Sequence, residues 1–475
     1  MDPFVVVGGD AAGLSAASKC ARTDPDREVI VFERGSWVSY AHCGMPYFVK
    51  GEVDSLDDLL SLSPADITDR GIDLRRRHEV TAIDTDARRV TVRGPDSTVE
   101  QPYGDLLIAT GASAITGPIE GSSLTGAHTM HGLDSAAGVR AHLLDPAADH
   151  RDDIGGEPFV DRERVERYAA LEPPETVAIV GGGYVGVEMA EAFATHDVEV
   201  HLFQRGETLL PPFGEAVAEA VASELRERGI TLHLGEEVAR LVGDGTGTIE
   251  ALECAGGTTL PVELALVGIG IRPNADLVAE TPVETGVAGA IETDDHGRTA
   301  VEGVYAAGDC ATMTHAVTGE ADWVPLGLTA NRAGRAIGAT VAGDPTPVGD
   351  VAGTAVVKAF DCEAGRTGLT DEERAREAGF DPASATITAG SRSGYYPGAA
   401  ETTVTLVGDR GTGRLLGGTI VGSDRAAVRI DILAAAIDGD ATVGDLERMD
   451  LAYAPPFSPV WDPVLVAAKV LNGRL

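Results

Sequence analysis

A chain of 475 residues is long for one core, and 43% hydrophobic with 24% charged residues marks a folded, multidomain globular protein rather than a disordered one. No apolar run reaches the roughly 18 residues of a membrane helix, so no membrane partner is expected. The net charge of −38 argues against nucleic acid as a partner.

Only Lys19, Lys50, Lys358 and Lys469 are lysines, and the acids are spread along the whole chain. Such an acidic, lysine-poor composition resembles halophilic proteins of a salt-saturated cytoplasm, where the Debye length falls to roughly 3 Å and self-repulsion is screened. The N-terminus runs directly into a strand without the basic start of a secretory signal, so a cytoplasmic location is expected. The cysteines Cys20, Cys43, Cys254, Cys310 and Cys362 are scattered and contain no C-x-x-C. Neither a disulfide framework nor a metal site is suggested.

In chain order, the β-branched run Phe4 to Val7 ends in the turn Gly8-Gly9-Asp10-Ala11-Ala12-Gly13, and an Ala-rich helix follows. A second strand closes at Glu33-Arg34. The middle glycine of G-x-G-x-x-G is replaced by Asp10, but the strand–turn–helix context is that of a dinucleotide site. Glycines permit a tight turn and bring a pyrophosphate to the helix N-terminus, while Glu33 accepts hydrogen bonds from a ribose. The same grammar returns at Gly181-Gly182-Gly183-Tyr184-Val185-Gly186, where Gln204-Arg205 stands in place of the carboxylate. A carboxylate there would repel a 2′-phosphate. Gln204 with Arg205 accepts one, which leans toward NADPH, with NADH as the alternative.

Between the two units, residues 145–164 are polar and read as a surface insertion. Two further strands end in Ala109-Thr110-Gly111 and in Gly308-Asp309. Beyond residue 340, alternating strands (TAVVKAF, TTVTLVG, LLGGTIVG) and two helical stretches (DEERAREAG, RAAVRIDILAAAI) indicate a mixed α+β domain.

These four segments, in this order, resemble the two-dinucleotide flavoprotein disulfide reductases. The resemblance implies an α/β architecture of two Rossmann-like domains and a C-terminal dimerisation domain. The expected boundaries are 1–115 and 285–340 for the FAD-binding domain, 116–284 for the NAD(P)-binding domain, and 341–475 for the last. It also implies FAD as cofactor, with Asp309 on the ribityl chain. Ser39-Tyr40-Ala41-His42-Cys43-Gly44-Met45-Pro46-Tyr47 carries one cysteine where most members carry two. That segment is similar to the single-cysteine branch: coenzyme A disulfide reductases, persulfide reductases, and NADH oxidases and peroxidases.

One cysteine cannot close a disulfide with itself. Cys43 therefore cycles through a mixed disulfide or a sulfenic acid. The branch members that use sulfenic acid carry a histidine where this chain has Ala11, which favours the mixed disulfide; His42 beside Cys43 keeps the question open. A neutral-pH thiolate requires its pKa to be lowered by a helix N-terminus or a nearby cation. Cys43-Gly44-Met45-Pro46 fits a helix start.

The resemblance to coenzyme A disulfide reductases implies coenzyme A contacts at Ser15, Lys19, Arg22, Ser39, His42, Arg70 and Asn331. It also implies a homodimer in which Tyr395 and Tyr453 complete a partner's active site. This chain departs from the pattern at His42 (asparagine expected), Asn331 (histidine expected) and Trp461 (lysine expected). The basic run Arg75 to Arg77 is either part of this site or a solvated strand face. Coenzyme A disulfide is the first expected substrate. A coenzyme A persulfide or polysulfide comes next, disfavoured by the lack of an appended sulfurtransferase-like domain before Leu475. An NADH oxidase, or an electron-transfer flavoprotein with Cys43 as a packed thiol, stays open.

Overall fold

The computed structural model describes residues 2–144 and 154–475. Strands Phe4–Val7, Val29–Glu33, Ile72–Arg76, Asp105–Ile108 and Val304–Ala306 form a parallel sheet. Its spatial order places Val304–Ala306 beside Asp105–Ile108, so the chain leaves this sheet and returns to complete it almost 200 residues later. Near-continuous burial of Phe4, Val5 and Val6 explains the unbroken apolar run, because both faces of the sheet are covered, one by helices and the other by the three-stranded sheet Glu79–Asp84, Arg89–Arg93 and Thr98–Pro102. One covering pair is Ala11–Thr23 against Gly327–Val341. These helices touch backbone to backbone. A Cβ on Gly334 would sit 2.1 Å from the carbonyl oxygen of Ala12, and one on Gly338 would sit 2.2 Å from that of Ala16.

A second parallel sheet, ordered Thr231–Leu234, Glu199–Gln204, Thr176–Val180, Leu264–Val267 and Ala127–His128, carries the second glycine turn. The C-terminal domain is a five-stranded antiparallel sheet backed by the helices Ile430–Asp438 and Pro463–Asn472. Its three expected strands lie at Ala355–Ala359, Glu401–Asp409 and Leu415–Gly422. Two more, Cys362–Gly368 and Pro382–Gly390, had no clear signal. Glycine, alanine and threonine dominate them, so they lack the β-branched apolar alternation that marks a strand.

The expected insertion at 145–164 is corrected in part. Residues 145–153 lie outside the described residues, but Ile154 is fully buried and Val160 nearly so. The helix Arg162–Ala169 packs on Leu133–Leu143. Gly156 N–H donates to Asp57, and Asp161 N–H donates to Asp134. From residue 154 onward the segment is therefore part of the interdomain core, its few apolar residues pointing inward between charged ones. Among the described residues no helix is long and apolar enough to cross a membrane.

Candidate active site

The two glycine turns are built to one plan. Gly8 and Gly181 adopt φ of +115° and +116°, where L side chains are strained. A Cβ on either would lie 2.1 Å from the carbonyl of Ala109 or 2.2 Å from that of Gly268. Gly13 and Gly186 each bring a helix within 1.9 Å (for a Cβ) of the carbonyl that opens the turn. Gly9 N–H donates to Glu33 (2.9 Å), and its counterpart Gly182 N–H donates to Gln204 (3.0 Å), so Glu33 and Gln204 are structural equivalents. Around Gly183 a Cβ would meet nothing within 4 Å, which leaves open space at the N-terminus of the helix Tyr184–Ala194.

A cleft of about 1780 Å³ joins both turns. Gly8, Gly9, Ala11, Ala12, Glu33 and Arg34 line it at one end, and Gly181, Gly183 and Gln204 at the other. Ala109, Thr110, Gly111, Gly308 and Asp309 line the middle. Gly13 and Gly186 lie behind the turns, and the exposed Arg205 stands outside the cleft. Thr110 and Asn274 exchange hydrogen bonds (2.6 and 2.9 Å), locking the two interdomain crossings side by side. The Asp309 carboxylate has no hydrogen-bond partner among the described residues. Its pKa is pushed up by burial above all, with His42 opposing and Asp10 assisting. An unpartnered carboxylate facing the cleft, next to Gly308 where it packs on Ala12 of the first helix, fits the hydroxyl groups of a flavin dinucleotide.

Cys43 sits in a 3₁₀ turn, His42–Gly44, immediately before the helix Met45–Lys50 with Pro46 in its first turn. It is exposed to the cleft, whereas Cys20, Cys254, Cys310 and Cys362 are buried. Asp10 accounts for the turn's position. One carboxylate oxygen accepts from Tyr40 N–H (3.2 Å), and the other lies 3.1 Å from His42 Nδ1, while the Tyr40 and His42 rings pack at 4.1 Å. The residue that breaks the first glycine fingerprint thus ties the cysteine loop to the cofactor turn.

The expected lowering of the Cys43 pKa, by a helix N-terminus or a nearby cation, is corrected. Cys43 Sγ is open to the cleft but surrounded by protein, and this desolvation raises its pKa. The carboxylates of Glu188 and Asp309 raise it further, and only a backbone N–H opposes them. Glu188, on the helix after the second glycine turn, is itself raised to about 7 by burial, with Tyr47 (3.5 Å) opposing and Glu191 adding to the rise. Glu191 accepts from Lys50 (2.7 Å), from Phe360 N–H (2.7 Å) and from Lys358 (3.4 Å). It joins the cysteine helix, the second dinucleotide domain and the C-terminal domain. The sequence reading missed both acids. Their signal was two carboxylates in the otherwise apolar stretch of Tyr184–Ala194.

Ser15 Oγ donates to Asn331 (2.7 Å), and Lys19 and Arg22 follow along the same helix at spacings that keep them on one face. Lys19 and Arg22 have no carboxylate partner among the described residues, whereas the Arg70 charge acts on Asp66, one turn earlier in its own helix. Ser39 holds the cysteine loop through its N–H to Gly9 and its carbonyl to Ser61, at a φ of 53°. None of Ser15, Lys19, Arg22, Ser39, Arg70 or Asn331 lines the large cleft; His42 does. Arg75 is engaged by Asp73 and Phe32, and Arg76 donates to Ser36 and packs over Phe159. Those two read as structural. Tyr395 and Tyr453 are adjacent, since a hydrogen bond to Tyr395 raises the Tyr453 pKa, but both are exposed and outside the cleft of their own chain.

Residues 2–329 match the pyridine nucleotide-disulphide oxidoreductase family, and residues 354–463 match its dimerisation domain. The chain belongs to this family. Like other pyridine nucleotide-disulphide oxidoreductases it is an enzyme that uses FAD and NAD(P)H. It is 39% identical over 470 residues to the NAD(P)H coenzyme A polysulfide/persulfide reductase of Pyrococcus horikoshii, covering 98% of each chain. It is 26% identical over 462 residues to the coenzyme A disulfide reductase of Staphylococcus haemolyticus, covering 96% of each. Among solved structures, the NAD-dependent persulfide reductase from A. fulgidus matches with a TM-score of 0.89 and 33% identity, over 99% of this chain and 83% of that one.

Proposed function

We propose that this oxidoreductase reduces a sulfur–sulfur bond of coenzyme A through Cys43. One observation carries the reading: of five cysteines, only Cys43 is exposed, and it opens a helix in the cleft that joins both dinucleotide turns. Bound FAD and NAD(P)H supply two electrons. The chain's own part is the thiol chemistry. The Cys43 thiolate attacks coenzyme A disulfide, one coenzyme A thiolate leaves and takes up a proton, and the other half stays on Cys43 as a mixed disulfide. Two-electron cleavage of that bond releases the second thiol and restores the thiolate. With a coenzyme A persulfide the same mixed disulfide forms and hydrogen sulfide leaves.

The disulfide was the first expectation, and the persulfide or polysulfide now ranks above it. The Pyrococcus relative so named is the more similar of the two and is spanned over 98% of its length, so an appended domain is no requirement. Lys19 and Arg22, which have no carboxylate partner among the described residues of an acidic chain, are assigned with Arg70 to the coenzyme A phosphates, with Ser15, Ser39, His42 and Asn331 beside them. NADPH is the preferred reductant, because Gln204 offers no charge against a 2′-phosphate and Arg205 is exposed and has no ion pair among the described residues.

A homodimer completes the site. Tyr395, Phe457, Val460 and Trp461 expose 76%, 59%, 62% and 65% of their surface, an apolar face that a second copy covers while bringing Tyr395 and Tyr453 to Cys43. The test is turnover of coenzyme A persulfide and coenzyme A disulfide by Cys43→Ser. It abolishes both while leaving FAD content and NADPH-dependent dye reduction intact. Retained disulfide and persulfide turnover would end the proposal.

A further inference from the structure

Two arginines of the C-terminal domain line the cleft, alongside the carboxylates of Asp322 and Glu363, and neither glycine turn explains them. Arg366 lies on the C-terminal strand Cys362–Gly368 and Arg374 on the short helix Glu372–Glu377, and both line the cleft. In a chain with 75 acidic against 37 basic residues, neither guanidinium meets a carboxylate within 4.0 Å among the described residues. The nearby His315 is 4% exposed and also lines the cleft. Burial above all lowers its pKa; Asp322 opposes this, and the charges of Arg374, Arg366 and Arg414 add to the lowering. Its Nδ1 receives the N–H groups of Val317 and Thr318 (3.3 and 3.4 Å), so the neutral ring carries its proton on Nε2, a third donor.

Hydrogen bonds connect this side of the cleft to the second glycine turn. Arg366 Nε donates to the hydroxyl of Tyr184 (2.9 Å), the first residue of the helix that follows Gly183. Arg366 also lies over the Phe213 ring, which meets Tyr184 edge-on at 5.3 Å. Leu210 N–H donates to Gly182 carbonyl, and Thr370 Oγ1 donates to Pro212 carbonyl (2.9 Å), four residues before Arg374. The 366–374 segment therefore packs on the loop that holds the turn in place.

We propose that Arg366 and Arg374, with His315, form an anion subsite that the C-terminal domain places across from Gly181–Gly183 to hold the pyrophosphate of the nicotinamide dinucleotide. The turn supplies backbone N–H groups and a helix N-terminus from one side. The guanidinium groups supply charge-assisted hydrogen bonds from the other. This subsite binds what NADH and NADPH share, whereas Gln204 and Arg205 face what distinguishes them. It rests on coenzyme use alone and is independent of the sulfur substrate.

The experiment titrates NAD⁺ and NADP⁺ into the oxidised holoenzyme and follows flavin fluorescence. Arg366→Gln raises the Kd of both dinucleotides by a common factor of about 10, and Arg374→Gln, more exposed, by about 3. FAD content is unchanged. In the unaltered holoenzyme, inorganic pyrophosphate displaces NAD⁺, and Arg374→Gln weakens that competition, which decides the matter if Arg366→Gln fails to fold. Values within twofold of the parent for both dinucleotides overturn the assignment. So does a loss confined to NADP⁺, which would place the arginines at the 2′-phosphate.

Discussion

The two glycine turns share a backbone and differ in charge. Each opens at a φ near +115°, each closes its helix within 1.9 Å (for a Cβ) of a carbonyl, and each sends one N–H to the residue ending the next strand. In the first, that residue is Glu33 and the helix begins at Asp10. In the second, they are Gln204 and Gly183. The first turn carries two carboxylates, Glu33, which accepts from Gly9 and Gly35 N–H, and Asp10, which anchors the cysteine loop. The second carries none, and Arg366 and Arg374 of another domain line the same cleft. One fold thus makes one turn that also holds the cysteine loop and another left open at its helix N-terminus.

The largest expected effect comes from the feature the turns share. Gly13→Ala and Gly186→Ala each force a methyl group into a carbonyl, an overpacking cost of about 3 kcal/mol or roughly 100-fold in binding. Absorbance of the purified protein shows Gly13→Ala depleted of FAD. Gly186→Ala retains FAD but loses NADP⁺ binding in titration. Equal losses of both ligands in either variant would break the comparison.

Next come the residues that differ. Gln204→Glu places a carboxylate near the 2′-phosphate and lowers kcat/KM for NADPH by about 10-fold, leaving NADH within twofold. Steady-state kinetics with the two coenzymes check this, and an equal loss for both would detach Gln204 from coenzyme choice.

The fold was legible wherever a local rule was strong. Both fingerprints, their strands and the cysteine helix start lie where glycine and proline chemistry puts them. The strands Cys362–Gly368 and Pro382–Gly390 were not legible, because small and polar residues there are fixed by neighbouring strands rather than by their own pattern. In the candidate site, Cys43, Asp309 and the Glu33–Gln204 equivalence could be read from position. The ring of carboxylates around Cys43 could not. Glu188 reaches it from the other dinucleotide domain, 145 residues away in sequence, and no local spacing announces such a contact.

That ring gives a pH prediction. Because the Glu188 charge raises the Cys43 pKa, Glu188→Gln moves the midpoint of Cys43 alkylation by iodoacetamide to lower pH. An unmoved or higher midpoint would remove Glu188 from the thiol's surroundings.

A last prediction tests the packing of the helix Leu133–Leu143 on the edge strand Ala127–His128. Burial lowers His142 from 6.5 to about 4 and holds His128 well below its usual value. The unfolded chain therefore takes up protons first as pH falls. This contribution to stability is complete above pH 6.5 and is lost as pH drops toward 4. For His142 the loss at pH 5 is roughly 2 kcal/mol. His142→Leu should narrow the gap between the thermal midpoints measured at pH 7 and pH 5. An unchanged gap would show that this buried histidine does not set the acid limit.

The most direct test of Cys43 as the single redox thiol is denaturing mass spectrometry of the enzyme after exposure to coenzyme A disulfide without reductant. One coenzyme A is expected per chain, on the peptide containing Cys43, and it is released by NADPH. A sulfenic or sulfinic acid on Cys43 without coenzyme A, or an adduct on Cys310, would contradict it.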